Sequence, residues 1–404
     1  MSNLNTEGKI FLIIFLASLT AFGPFVTDFY LPALPQQGED LQASSAWVQA
    51  GISTSLWGLA LGQLIVGPLS DRKGRKIPLF ISLGVFCVAT VGCIFTPNIE
   101  CFVFCRFIQG LGATGGIVLA KSIATDKYKN RELSSFLSLI GAVQGLAPII
   151  APICGAILVA YLGWREIFGV LLLLGVVLIF ATARFQETLA SYRRIKGRAS
   201  FLESFNLFKS DSVFTLLVLQ QSAGCGVLFA YIASSAFLFQ TMFALTPIEY
   251  SIVFALNAIM ISIGTFACRL FKSMMYAVIF GSIGMLASSV ALGIVLLTMN
   301  SVIFVELCLM AMTCSLGLTL PSGTGLALNR QRDRAGSASA LLGALGFAVG
   351  GLAAPLAGMG EHGMGLVKLM NVQSCTQKIR HAELFGGCIV NCFEPNWLKL
   401  CASS

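Results

Sequence analysis

Gly67-Pro-Leu-Ser-Asp-Arg-Lys-Gly-Arg-Lys-Ile-Pro-Leu79 puts five charged residues and two glycines into thirteen positions, between apolar runs at about 47–67 and 78–96. A glycine imposes no side-chain restriction on the backbone, so Gly67 and Gly74 permit a tight reversal between two closely packed helices. Asp71 is placed to pair with a neighbouring arginine or with a helix N-terminus. The flanking runs are each about the 20 apolar residues that a helix needs to cross a bilayer. Composition extends that reading to the whole chain of 404 residues, of which 56% are hydrophobic and 11% charged, with a mean hydropathy of +0.85. Soluble domains carry about 25% charged residues, so lipid is the expected solvent for most of this surface.

Eleven such runs follow one another, at about 10–32, 47–67, 78–96, 99–120, 134–161, 165–183, 212–240, 248–268, 274–299, 301–325 and 336–358. Lipid offers no partner for open backbone groups, and the alternation of a barrel strand is absent, so the spans are expected to be helices. The N-terminal run is as long as a span and has no small-residue cleavage site behind it, so it reads as the first span rather than a signal peptide. With the N-terminus inside, twenty Lys and Arg fall in the inner loops and Arg165 alone in the outer ones. Basic loops stay cytoplasmic, which predicts a multi-pass protein of an inner or plasma membrane with a cytoplasmic N-terminus. The net charge of +8 is accounted for by these loops and calls for no nucleic acid. The polar segment 184–211 separates an N-terminal six-helix bundle (1–183) from a C-terminal bundle of five spans (212–358). Residues 359–404 read as a non-spanning tail, where both histidines (His362 and His381) and four cysteines crowd together. The nine cysteines between Cys87 and Cys314 are scattered along apolar helices and read as small buried hydrophobes. No metal-ligand spacing accompanies them, and no metal or cofactor is expected.

Charges stand out within the first span at Asp28 and within the fourth at Arg106. Charge in hydrocarbon is costly and by default marks function. Counting from the outer helix ends at ~1.5 Å per residue places the two within ~5 Å of depth of each other, which predicts that they interact. The fifth span carries Gly141, Gly145, Pro148, Pro152 and Gly155. Its small residues permit close helix approach, and its two prolines remove backbone donors and bend the helix. In the second half, Tyr231, Ser235 and Asn257 are positioned to line a cavity or to bond between helices, as are Gln220, Gln221 and Ser234, while Tyr30 and Gln109 do so in the first. Glu306, near the outer end of its span, reads as interfacial.

The loop G-x-L-x-D-R-x-G-R-K-x-x-L, with Gly67, Asp71, Arg72, Gly74 and Arg75 in its fixed positions, resembles the loop between the second and third spans of the major facilitator superfamily. Arg106-Phe-Ile-Gln109-Gly110-Leu-Gly112 resembles that family's second motif, and the span-five residues resemble its antiporter motif, departing from it at Ala156. Thr27-Asp-Phe-Tyr-Leu-Pro-Ala-Leu-Pro35 and Trp164-Arg-Glu-Ile-Phe168 resemble the bicyclomycin-resistance/chloramphenicol-efflux group of drug:proton antiporters. The resemblance covers residues 8–358. It implies an all-α, two-bundle membrane transporter, here with eleven spans and the twelfth missing. It also implies that the loop helps switch the bundles between inward- and outward-open states and that Arg106 is associated with proton coupling.

The expected function is therefore proton-coupled export of drugs or other small amphipathic molecules by a monomer, with Asp28 and Arg106 coupling the proton. Its partners are a small-molecule substrate, protons and the lipid bilayer. Export of a native metabolite is an alternative. So is a chain that keeps the fold but has lost transport through a change at its end. A membrane enzyme would need a nucleophile–base pair or a metal cluster, and no histidine occurs before residue 362.

Overall fold

A computed structural model describes residues 6–128, 130–189, 211–298, 301–331 and 335–358; within 130–144 and at the helix ends some side chains lie outside the description. The expected linker, apart from its first and last residues, and the tail at 359–404 fall outside it. Helix α1 runs Thr6–Asp28, and a short 3-10 turn at Leu31–Ala33 leads into α2 (Leu34–Asp40). The long helices that follow are α3 (Ser45–Lys73), α4 (Lys76–Ile94), α5 (Ile99–Lys127), α6 (Asn130–Tyr161) and α7 (Trp164–Arg184). The second half comprises α8 (Ser212–Ala236), α9 (Pro247–Ala267), α10 (Met274–Thr298), α11 (Val302–Arg330) and α12 (Ala335–Gly358). A π-helical turn at Phe237–Met242 prolongs α8.

Among the described residues, ten helices are long and apolar enough to cross a membrane. The eleventh long helix, α6, has 32 residues and contributes the apolar segment Gly145–Tyr161. The eleven expected spans thus correspond to eleven long helices in an all-helical, multi-pass membrane protein. Helices α3, α5 and α11 have 29 residues each, or ~43 Å at ~1.5 Å per residue, against a hydrocarbon core of ~30 Å. They therefore run beyond the bilayer at the end where the basic loops lie. One consequence corrects the expectation for Gly67. It sits inside α3 with no atom near enough to crowd a Cβ, because the helix continues to Lys73. The turn is made by Gly74 alone, at φ 90°.

In the first half α3 and α4 pack on α5, α4 on α7, and α1 on α5 and α6; in the second α12 and α11 pack on α8, and α9 and α10 on α11. The two sets meet along α3–α12 and α6–α9. Two helix crossings are built alike. A Cβ at Gly58 of α3 would overlap the backbone of Phe107 on α5, and one at Gly110 of α5 would overlap the carbonyl of Ser55. Gly264 of α9 and Gly317 of α11 stand in the same reciprocal relation, against the carbonyls of Cys314 and Ile261. Each crossing needs bare backbone on both sides, which is how helices in lipid approach closely enough for dispersion to hold them.

The loop at the head of α4 is tied down by charge. Arg75 Nη1 donates to Asp71 Oδ1 at 2.6 Å and to Ser70 Oγ at 2.8 Å, while its Nε donates to Asp126 Oδ2 at 2.8 Å. Glu187, just beyond α7, accepts from the backbone N–H of Arg75 (2.9 Å) and Lys76 (3.1 Å). It thereby covers the open donors at the start of α4. Burial pushes its carboxyl upward, but the backbone donors of Arg75, Leu189, Lys76 and Thr188 outweigh that and hold it below its usual value of 4.5.

Candidate functional site

Between the halves lies a cavity of ≈ 340 Å³. Its walls are contributed by α1, α3, α5, α6, α8, α9 and α12, with Phe229, Tyr231, Phe254 and Phe347 as the aromatic surfaces and Pro148 of α6 among the aliphatic ones. Among the described residues Asp28 is the only charged one in the lining, and 5% of its surface is exposed. It closes α1, a helix that Pro24 interrupts one turn earlier.

Arg106 is fully buried beside this cavity. Its Nη2 donates to the carbonyl of Val26 at 3.2 Å, its Nε to the carbonyl of Gly51 at 3.4 Å, and its Nη1 to Gln109 Oε1. Gln109 passes its own amide hydrogen to Thr90 Oγ1 at 2.8 Å. The guanidinium carbon lies 4.4 Å from the centre of the Tyr30 ring and 5.7 Å from that of Phe168, a cation–π arrangement. Val26 is in the last turn of α1, where carbonyls lack an intrahelical donor and a cation meets the negative end of the helix dipole. Arg106 therefore caps the C-terminus of the helix that carries Asp28. No ion pair joins the two side chains. The matching depths brought them to the same helix end, but the unfilled carbonyls there, not the carboxylate, take the guanidinium's hydrogens.

The other expected residues separate into groups. Of the eight named as positioned to line a cavity, Tyr231 is in its wall, and Gln220, Gln221 and Ser234 are not. Tyr30 and Gln109 belong to the Arg106 cluster, because each faces the guanidinium instead. Ser235 Oγ is 3.0 Å from Tyr250 Oη, and Asn257 turns away towards α11. Along α6, Gly145 has open space around it, whereas a Cβ at Gly155 would overlap the carbonyl of Phe29. The carbonyl of Pro152 lies 3.0 Å from Ser251 Oγ of α9. Gly141 lies on the same helix, outside the residues whose side chains are described. Gln240, in the π-helical turn, donates to the carbonyl of Pro32 at 3.1 Å. These last two contacts join the halves at the end of the bundle away from the basic loops. Asp71 and Arg75 form the pair described above, and Arg72 flanks them.

Glu306 corrects its expectation. It is not interfacial but 9% exposed, held between α9 and α11, where Asn257 Nδ2 donates to its Oε1 at 2.7 Å. The signal was in the sequence, since Glu306 is an acidic residue within an apolar run. Proximity to the helix end concealed it.

The family description for the Major Facilitator Superfamily matches residues 10–355. The chain is 34% identical over 367 residues to an uncharacterized MFS-type transporter, YdgK, of Bacillus subtilis (strain 168), covering 88% of this chain and 91% of that one. It is 28% identical over 270 residues to a bicyclomycin resistance protein homolog of Haemophilus influenzae, covering 65% and 67% of the two chains. Among solved structures, a bacterial homolog of the human lysosomal transporter Spinster superposes with a TM-score of 0.74 over 94% of this chain and 96% of that one, at 17% identity. That likeness concerns the fold.

Proposed function

The chain belongs to the major facilitator superfamily, and from that premise we propose that it exports small amphipathic molecules, drugs among them, in exchange for protons across a bacterial inner membrane, with its N-terminus in the cytoplasm. The observation that carries this reading is a largely apolar cavity in whose wall Asp28 is the single charged residue among those described. Aromatic and aliphatic walls accept amphipathic molecules without demanding a particular hydrogen-bond pattern. A carboxylate in such a wall binds a proton when the cavity is dry and gives it up when water or a cation takes its place. Arg106, capping the same helix, is the residue that holds Asp28 at this depth. The bundles at 1–183 and 212–358, joined through 184–211, rock about the cavity as in other transporters built from repeats. The loop around Gly74 is the switch, and the bilayer and a single copy of the chain suffice.

The multidrug and bicyclomycin-resistance names among the relatives support drugs as the substrate class. The test uses everted vesicles with a respiration-driven pH gradient and a panel of lipophilic cations and neutral drugs. Wild type discharges the gradient when a substrate is added. Asp28→Asn inserts at the same level but gives no discharge, because an amide does not titrate. Unchanged discharge in that variant would remove Asp28 from the mechanism.

A further inference from the structure

The two glycine crossings supply a frame for comparing the halves. Arg106 lies four residues before Gly110, and Thr313 lies four before Gly317; Gly51 lies seven before Gly58, and Asn257 lies seven before Gly264. The pair Asn257–Thr313 therefore occupies, in the second half, the place held by Gly51 and Arg106 in the first. There the guanidinium bonds to the Gly51 carbonyl. Here Thr313 Oγ1 lies 3.1 Å from Asn257 Oδ1 and the carbonyl of Val253 accepts from Nδ2 at 3.1 Å, and between them they orient the amide so that Nδ2 also donates to Glu306 Oε1. The carboxylate of Glu306, about two helical turns before Thr313 on the same helix, thus reaches the amide that stands in the place of Gly51.

That carboxylate is incompletely satisfied. Glu306 Oε2 is buried without a hydrogen-bond partner, as is Tyr231 Oη, and Tyr231 lies within electrostatic range of both Glu306 and Asp28. Among the described residues, the neighbouring helices bring no cation to it. From α8 come Tyr231 and, one turn further, Ser235. From α9 come Asn257 and Tyr250, the latter held by Ser235; Glu249 is engaged in the cap at the exposed start of that helix. Helix α10 has no charged residue, and its tyrosine, Tyr276, is at the opposite end. Helix α12 offers no titratable side chain between Ala335 and Gly358, and α11 itself adds Cys308. A charged carboxylate with one donor and no counter-ion is strongly disfavoured in such surroundings. A proton on the bare oxygen removes the charge and leaves Oε1 free to keep its bond from Asn257.

We propose that Glu306, set by Asn257 and Thr313, is a second proton-binding site of the transport cycle, in the opposite half of the molecule from Asp28. It binds its proton in the conformation seen here and releases it when rearrangement of α9 against α11 admits water. This rests on the proton-coupled reading above, but it is tested separately.

The test is infrared difference spectroscopy of the full chain in nanodiscs during a pH titration without substrate. Wild type is expected to show a neutral-carboxyl C=O band that disappears as pH rises, is absent in Glu306→Gln and persists in Asp28→Asn. Failure of Glu306→Gln to remove any carboxyl band that Asp28→Asn retains, or a Glu306 band present at every pH, would overturn the proposal. Should Glu306→Gln fold poorly, Asn257→Leu decides: removing the amide that donates to Oε1 should shift the band's frequency, and an unshifted band counts against the site. A second readout is the proton-to-substrate ratio in vesicles, with tetraphenylphosphonium as the probe cation if wild type exports it and otherwise whichever compound of the panel discharges the gradient. The ratio is expected to fall by one proton in Glu306→Gln, and an unchanged ratio overturns the role. Loss of discharge in Asp28→Asn concerns Asp28 and leaves both readouts for Glu306 intact.

Discussion

Arg106 directs its hydrogens to two carbonyl oxygens and an amide oxygen and lays its face against Tyr30. These partners are arranged around a planar fork, and an ammonium is a point charge with tetrahedral donors. Arg106→Lys is accordingly expected to lose export although the charge is retained. It should also lower stability by ~1–3 kcal/mol, the cost of leaving buried acceptors unmade. Thermal unfolding in detergent and the vesicle assay check both. Full activity in the lysine variant would mean that charge alone matters at this position. Among the described residues neither Asp28 nor Glu306 is joined to a cationic side chain, which is the arrangement that the proposed proton exchange requires.

At the scale of helices, the reciprocal glycine crossings set how near α3 comes to α5 and α9 to α11. Gly58→Ala and Gly264→Ala each force a methyl into facing backbone that has no rotamer with which to yield. Each should cost ~1–3 kcal/mol, the usual penalty of overpacking, whereas Gly145→Ala, facing open space, should cost almost nothing. Equal effects of all three on unfolding would contradict the close crossings. The head of α4 offers a pH-dependent contrast. Glu187 has a carboxyl held below 4.5, so its contribution is fully present above that value and is lost as pH falls through the lower folded one. The melting difference between wild type and Glu187→Gln is expected to be largest at neutral pH and to vanish in acid. A difference that persists in acid would show that the ionised carboxylate is not what binds the loop. Neither Glu187 nor Asp126 was apparent from the loop motif, because both lie far from it in the chain and meet it only through α5 and α7.

For the whole molecule, the orientation proposed from the basic loops places α2 on the outer face, together with the contacts Gln240–Pro32 and Ser251–Pro152 that join the halves there. Glu39 is exposed on that helix. A Glu39→Cys variant should react with a membrane-impermeant maleimide in intact cells, in a background lacking Cys101 and the tail cysteines Cys375, Cys388, Cys392 and Cys401. Reaction only in everted vesicles would invert the topology.

The sequence by itself determined that lipid is the solvent, where the apolar helices run, which loops carry the positive charge, and that the stretch from Gly67 to Leu79 belongs to a major facilitator. Length, charge and local motif are properties of consecutive residues, and the bilayer selects on them directly. It also marked Asp28 and Arg106, because a charge within an apolar run stands out without any knowledge of its neighbours. The tertiary structure alone decided what those charges touch. In a membrane both the lipid-facing and the interior faces of a helix are apolar, so hydrophobic periodicity does not report its rotation. Rotation is fixed instead by small residues meeting across long separations, as Gly58 meets α5 and Gly264 meets α11. That is why Arg106 was found at the carbonyls of Val26 and Gly51 rather than on Asp28, and why Glu306 lies buried against Asn257 rather than at the membrane surface.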